Sequence, residues 1–116
     1  MRDILLQVSG VVAIATSVVH GVLGETKVFA RASIEPKRLK DLIRAVWQLG
    51  TIAWIAGGVL LLAAPSMGSE VARHWIIMTF AVVFASAALG NAWANRGRHV
   101  GWVLMSVVVV LAVASY

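Results

Sequence analysis

His20, Glu25, Gln48 and Asn91 are polar or titratable residues set in, or hard against, long apolar runs. Each lies within about five residues of a charged flank: His20 before Glu25, Gln48 after Arg44, Asn91 before Arg96. Polar side chains in hydrocarbon are costly without partners, so they turn toward a bundle interior or a wet cavity. The common depth of these four predicts one polar layer. Histidine is the side chain that gains or loses a proton nearest neutrality. His20 is therefore the sharpest candidate, as a proton carrier or ligand-binding group, or else as a packing residue bonded to Gln48 or Asn91. Glu25 reads either as the partner of His20 or as a solvated carboxylate paired with Lys27 or Arg31. Trp54 lies two turns deeper than Trp47 on the same helix face. A mid-membrane indole N–H needs a partner, so Trp54 is expected to face another helix or a ligand, or else to be a lipid-facing or tightly packed ring.

The elements that position these residues are four apolar runs, Ile4–Gly24, Ala45–Ala64, Trp75–Ala94 and Val100–Tyr116, none containing Asp, Glu, Lys or Arg. A helix crossing a hydrocarbon core of about 30 Å needs about 20 residues, with a range of about 17–25. The first three runs meet that length, and the fourth falls at its short end. Hydrophobic residues make up 60% of the chain, charged residues 13%, and the mean hydropathy is +0.89. A soluble helical bundle would show polar residues on its outer face every third or fourth position. A β-barrel would alternate strictly. Neither pattern is present. The expected fold is all-α: an integral-membrane, antiparallel up-down four-helix bundle in a single domain, residues 1–116. Its helices are expected at about 4–32, 36–64, 71–95 and 99–116. The first helix reads as retained rather than as a cleaved signal, because its apolar stretch exceeds the usual h-region.

Of the ten Lys and Arg, all but Arg2 and Arg73 lie in the loops between runs 1 and 2 and between runs 3 and 4. The positive-inside bias puts both loops in the cytoplasm and both termini on the outer side of a bacterial inner membrane, as a multi-pass protein. The same bias accounts for the net charge of +5 without nucleic acid. Lys37, Arg38, Lys40 and Arg44 form the basic side of an amphipathic turn whose apolar side is Leu39, Leu42, Ile43 and Val46. Such a segment lies among headgroups and attracts anionic lipid. Pro65–Ser69 and Asn95–Arg98 read as turns.

Small residues let membrane helices approach closely. They recur at Gly10, Ala13, Ser17, Gly21 and Gly24; at Gly50, Ala53, Gly57 and Ala64; and at Ala81, Ala85, Ala88 and Ala92. The fourth run is Val-rich and is expected to face more lipid. Gly57-Gly58 predicts a bend or a close crossing.

No Ser/His/Asp set, phosphate-cradling Gly loop or dinucleotide fingerprint occurs. With no cysteine, thiolate chemistry is absent. His20, His74 and His99 are scattered, which argues against a metal or haem site, and no cofactor is expected.

The stretch His20-Gly21-Val22-Leu23-Gly24-Glu25, followed by a basic loop and Arg44-x2-Trp47, resembles a pattern in small four-helix bacterial membrane proteins. In those, a His-Ser-x-Leu-Gly-Glu-like stretch ends helix 1; here Gly21 takes the Ser position. The resemblance covers helices 1 and 2, implies the four-helix membrane fold and carries no established activity. The size is also similar to that of small multidrug-resistance transporters, which use a membrane-embedded Glu in helix 1; here the only Glu of that helix, Glu25, sits at its edge. The leading expectation is a non-catalytic accessory or scaffold subunit of a membrane complex, partnered by other subunits or by itself. The alternatives are a small oligomeric transporter or channel, and a lipid- or quinone-binding protein using His20 and Trp54.

Overall fold

The computed structural model describes all 116 residues as four helices with no strands. Helix α1 spans Arg2–Arg31, α2 Lys37–Met67, α3 Glu70–Ala94 and α4 Gly101–Ala114. The first three are long and apolar enough to cross a membrane, and α4 is a shorter apolar helix. The bundle measures 49 × 25 × 19 Å.

Local sequence explains the boundaries. Pro36 stands as N-cap of α2, where its missing N–H costs no helical bond. Pro65 shares the last, tightened turn of α2, and Gly68 ends it in the left-handed conformation that glycine tolerates best. Ser69 caps α3 by accepting from the Ala72 N–H. Helix α4 starts at Gly101, two residues later than the sequence suggests. The backbone leaves α3 through positive φ at Arg96 and Gly97, and His99 Nδ1 accepts from the Gly101 N–H at 3.0 Å.

Helix α1 is the hub, packing against α2 on one side and α4 on another, while α4 in turn packs on α3. The α2–α3 contact is sparser. Where α1 and α2 cross, a Cβ on Gly10 would lie 2.6 Å from both Gly58 O and Leu62 N, so backbone meets backbone there. Gly57, beside it, faces α3 and leaves room for the Phe80 ring. The Gly57-Gly58 pair thus serves two close approaches at once. On α1, Gly10, Ala13, Ser17 and Gly24 of the small-residue stripe are buried.

The Val-rich α4 differs from its expected lipid-facing role. Gly101, Met105, Val108 and Ala112 are buried at helical spacing, and Ser9 Oγ donates to Val108 O at 2.8 Å. Small and medium residues on one stripe let α4 sit between α1 and α3. Helix α2 leaves much of its apolar surface uncovered, from Leu39 through Leu60.

Candidate functional site

At the end of the bundle that carries the basic loops, α1 and α2 approach closely because of one glycine. A Cβ on Gly24 would fall inside the Trp47 indole. With that space free, Trp47 turns inward, and its Nε1 donates to His20 O at 3.0 Å. Its ring stacks on His20, with centroids 4.1 Å apart and planes 4° from parallel. Trp54 meets His20 at 4.6 Å and passes the contact to Phe84 of α3 at 6.0 Å. Trp54 therefore faces other helices, as its depth suggests, and its contacts are ring to ring. Phe29 closes the edge of Trp47 at 5.6 Å.

Past Gly24 the helix widens into a π turn, Gly24–Val28, a form common at functional sites. Glu25 stands on that turn. Gln48 Nε2 donates both to Gly21 O at 3.0 Å and to Glu25 Oε1 at 2.9 Å. Arg44 Nε donates to Glu25 Oε1 at 3.1 Å, and its Nη2 pairs with Oε2 at 2.5 Å. The partner of Glu25 is thus Arg44, not His20, Lys27 or Arg31. Gln48 and Glu25 are consumed in the α1–α2 seam. His20 takes no hydrogen bond from Gln48 or Asn91; its ring is stacked on Trp47.

His20 instead lines a cavity of about 210 Å³ between α1, α3 and α4, together with Asn91, Trp47, His99 and Met105. Asn91 reaches the cavity from α3 with its Oδ1 buried and unbonded, and its backbone carbonyl accepts from Asn95 Nδ2 at 3.0 Å. A Cβ on Gly101 would come within 3.1 Å of Asn91 Nδ2, so glycine at the start of α4 keeps this corner open. His99 also belongs to this wall. The fold divides the expected layer into two units: a solvent-exposed ion-pair seam of Gln48, Glu25 and Arg44, and a cavity with His20 and Asn91.

Of the four cations assigned to headgroups, Arg44 is paired with Glu25 and Lys40 Nζ donates to Ala32 O at 3.0 Å. Lys37 and Arg38 are exposed, beside exposed Leu39, Leu42, Ile43 and Val46.

The opposite end holds a feature that sequence reading missed. Arg73 is 5% exposed. It pairs with Asp3 at 2.7 Å and donates to Ser115 O at 2.9 Å. Arg2 also donates to Ser115 O, at 3.2 Å, and pairs with Glu70. These bonds tie α1 and α3 to the residue just past α4. A lone Arg at a helix start reads equally well as a topology signal, and only the opposite sign of Asp3 in the sequence hints at a partner.

No family model, curated protein or solved structure matches this chain.

Proposed function

We propose that the chain is a multi-pass protein of the bacterial inner membrane that binds a small hydrophobic molecule with a polar head. The basic loops lie in the cytoplasm and both termini on the outer side. The observation that carries the reading is the cavity at the basic end, apolar in much of its lining, with His20 in its wall and Asn91 Oδ1 buried there without a partner. Ligand sites have this character: mostly apolar, with a few convergent polar groups. Membrane placement is supported by the long dimension of 49 Å, against about 40–45 Å for a bilayer with headgroups. The charge bias supports the orientation. Helix α4, at about 21 Å for its fourteen residues, is the exception. Its end meets the Arg73–Asp3 cluster, a polar patch suited to the interfacial zone.

A second reading, an accessory subunit or homo-oligomer, is favoured by Gly50 and Gly90. Both are helical, and around either a Cβ would meet nothing within 4 Å. The other helical glycines each sit at a close contact within the chain. Glycine lowers helix stability by about 1 kcal/mol relative to alanine, so glycines in open positions suit helices from outside the chain.

Native mass spectrometry of the chain, released in mild detergent from its own membranes, tests both readings. A small-molecule adduct that disappears in Leu104→Trp, which fills the cavity, is the expected result. A chain bare of any non-phospholipid adduct refutes ligand binding. A defined multi-subunit mass supports the second reading.

A further inference from the structure

The lining of the cavity narrows the ligand class, given the binding reading above. No Asp, Glu, Lys or Arg lines it, so a charged head finds no counter-ion and the ligand is neutral. Its polar edge is rich in donors. Asn91 turns Oδ1 into the protein, buried and unbonded, which leaves the Nδ2 donor for a guest. His99 Nδ1 accepts from the Gly101 N–H; a neutral imidazole with one nitrogen accepting carries its proton on the other, so His99 Nε2 is also a donor. The Trp47 N–H is already committed to His20 O. The imidazole of His20, stacked on Trp47, supplies a third polar group from α1. Oxygen acceptors on the guest satisfy such an edge.

The rest of the wall favours a ring. An apolar cavity of about 150 Å³ holds benzene, and this one measures about 210 Å³, room for a six-membered ring with substituents. The rings of His20 and Trp47 and the thioether of Met105 line it, and sulfur and aromatic groups pack well on ring faces and edges. Val19 and Val100, both exposed, stand at its margin and give an apolar tail a way out.

We infer that the cavity takes a quinone: a neutral ring with carbonyl oxygens, held by Asn91 Nδ2 and the imidazoles of His20 and His99, with its apolar chain leaving past Val19 and Val100.

The test places the full chain in nanodiscs of diether phospholipid, which brings no carbonyl of its own. Decyl-benzoquinone and decylbenzene are titrated, and retained probe is counted chromatographically after subtracting empty discs. Saturable binding near one quinone per chain is expected, with decylbenzene at least tenfold weaker. Asn91→Leu should bring the quinone down toward the level of decylbenzene, and Leu104→Trp should abolish saturation for both. Helicity and gel-filtration profile identify any variant that fails to fold; Leu104→Trp, with no polar group altered, then carries the comparison. Equal binding of the two probes overturns the carbonyl assignment while leaving a hydrophobic binding site. Saturable binding of neither probe overturns the binding reading itself. Loss of quinone binding in diester discs assigns the cavity to a lipid ester carbonyl and overturns the quinone.

Discussion

Arg73 and Asp3 form an ion pair whose two halves stand in different surroundings, and this predicts an asymmetry between their mutants. The Arg73 side chain is 6% exposed and that of Asp3 64%. Asp3→Ala leaves a guanidinium buried without its counter-ion. Breaking a buried pair from one side costs about 3–5 kcal/mol; the bond that Arg73 keeps to Ser115 O sets the expectation near the lower end, about 3 kcal/mol. Arg73→Met removes the buried charge and fills its volume. The carboxylate left behind is solvated, and Ser115 O retains Arg2 as a donor, so the loss is about that of one hydrogen bond, ~1 kcal/mol. The difference of about 2 kcal/mol is a factor of about 30 in the unfolding constant. The double variant should behave like Arg73→Met alone, because without the guanidinium Asp3 has nothing to neutralise. Unfolding by SDS in mixed micelles, followed by circular dichroism, measures all four corners of the cycle. An Asp3→Ala chain no less stable than Arg73→Met would refute the claim that the guanidinium is desolvated and held by Asp3.

The glycines give a paired expectation in the same assay. Gly10→Ala drives a methyl group to 2.6 Å from the α2 backbone and should cost at least the 1–3 kcal/mol typical of overpacking. Gly50→Ala meets open space and should stabilise the monomer by up to about 1 kcal/mol; equal effects would dismiss the crossing described here. His20→Phe keeps a ring against Trp47 and should hold stability within about 0.5 kcal/mol of the parent, whereas His20→Ala should lose the stack, worth about 0.5–1.5 kcal/mol beyond area. If the two behave alike, stacking is not what places His20. Because the chain has no cysteine, Ser33→Cys and Ser66→Cys can report orientation through an impermeant maleimide. Ser66→Cys should label in intact spheroplasts and Ser33→Cys only after lysis; the reverse pattern inverts the topology.

What the sequence disclosed and what it hid follow from the kind of information each residue carries. The first three helices were readable because an uninterrupted apolar run has few alternatives once it reaches span length, whereas the fourth is shorter than its run. The α1 stripe was readable because glycine and serine at helical spacing mark close approach, and Gly10 and Gly24 fulfil that in the α2 contact. Position along the helices was readable too: His20, Gln48 and Asn91 lie toward the same end of the bundle. Rotation about the helix axis was not. Placing residues at equal depth leaves open which neighbour each faces, and here Gln48 turned to the α1 carbonyls while Asn91 turned to α4. Helix α4 gave no signal of its position because valine on every side carries no moment. Its order in the bundle is set by Ser9 and by the smallness of Gly101 and Ala112, details of fit rather than pattern.

The cavity emerges from that same fit. Trp47 enters the α1–α2 contact only because Gly24 lacks a side chain, and once there it stacks on the His20 ring. Arg44 and Gln48 hold Glu25 on the outer side of that contact, so no carboxylate reaches the imidazole. His20 is thereby left without a carboxylate partner, facing Asn91 and His99 across the gap that Gly101 keeps open. A histidine engaged by Glu25 would read as a proton site; one separated from it by a tryptophan and set among neutral donors reads as part of a binding wall. Moving the carboxylate tests this division. Leu23 lines the cavity beside His20, and Leu23→Glu, in an Arg44→Leu background that frees the seam, should abolish quinone retention by charging a wall that holds none. Retention undiminished by that charge would mean that the ligand sits elsewhere in the bundle.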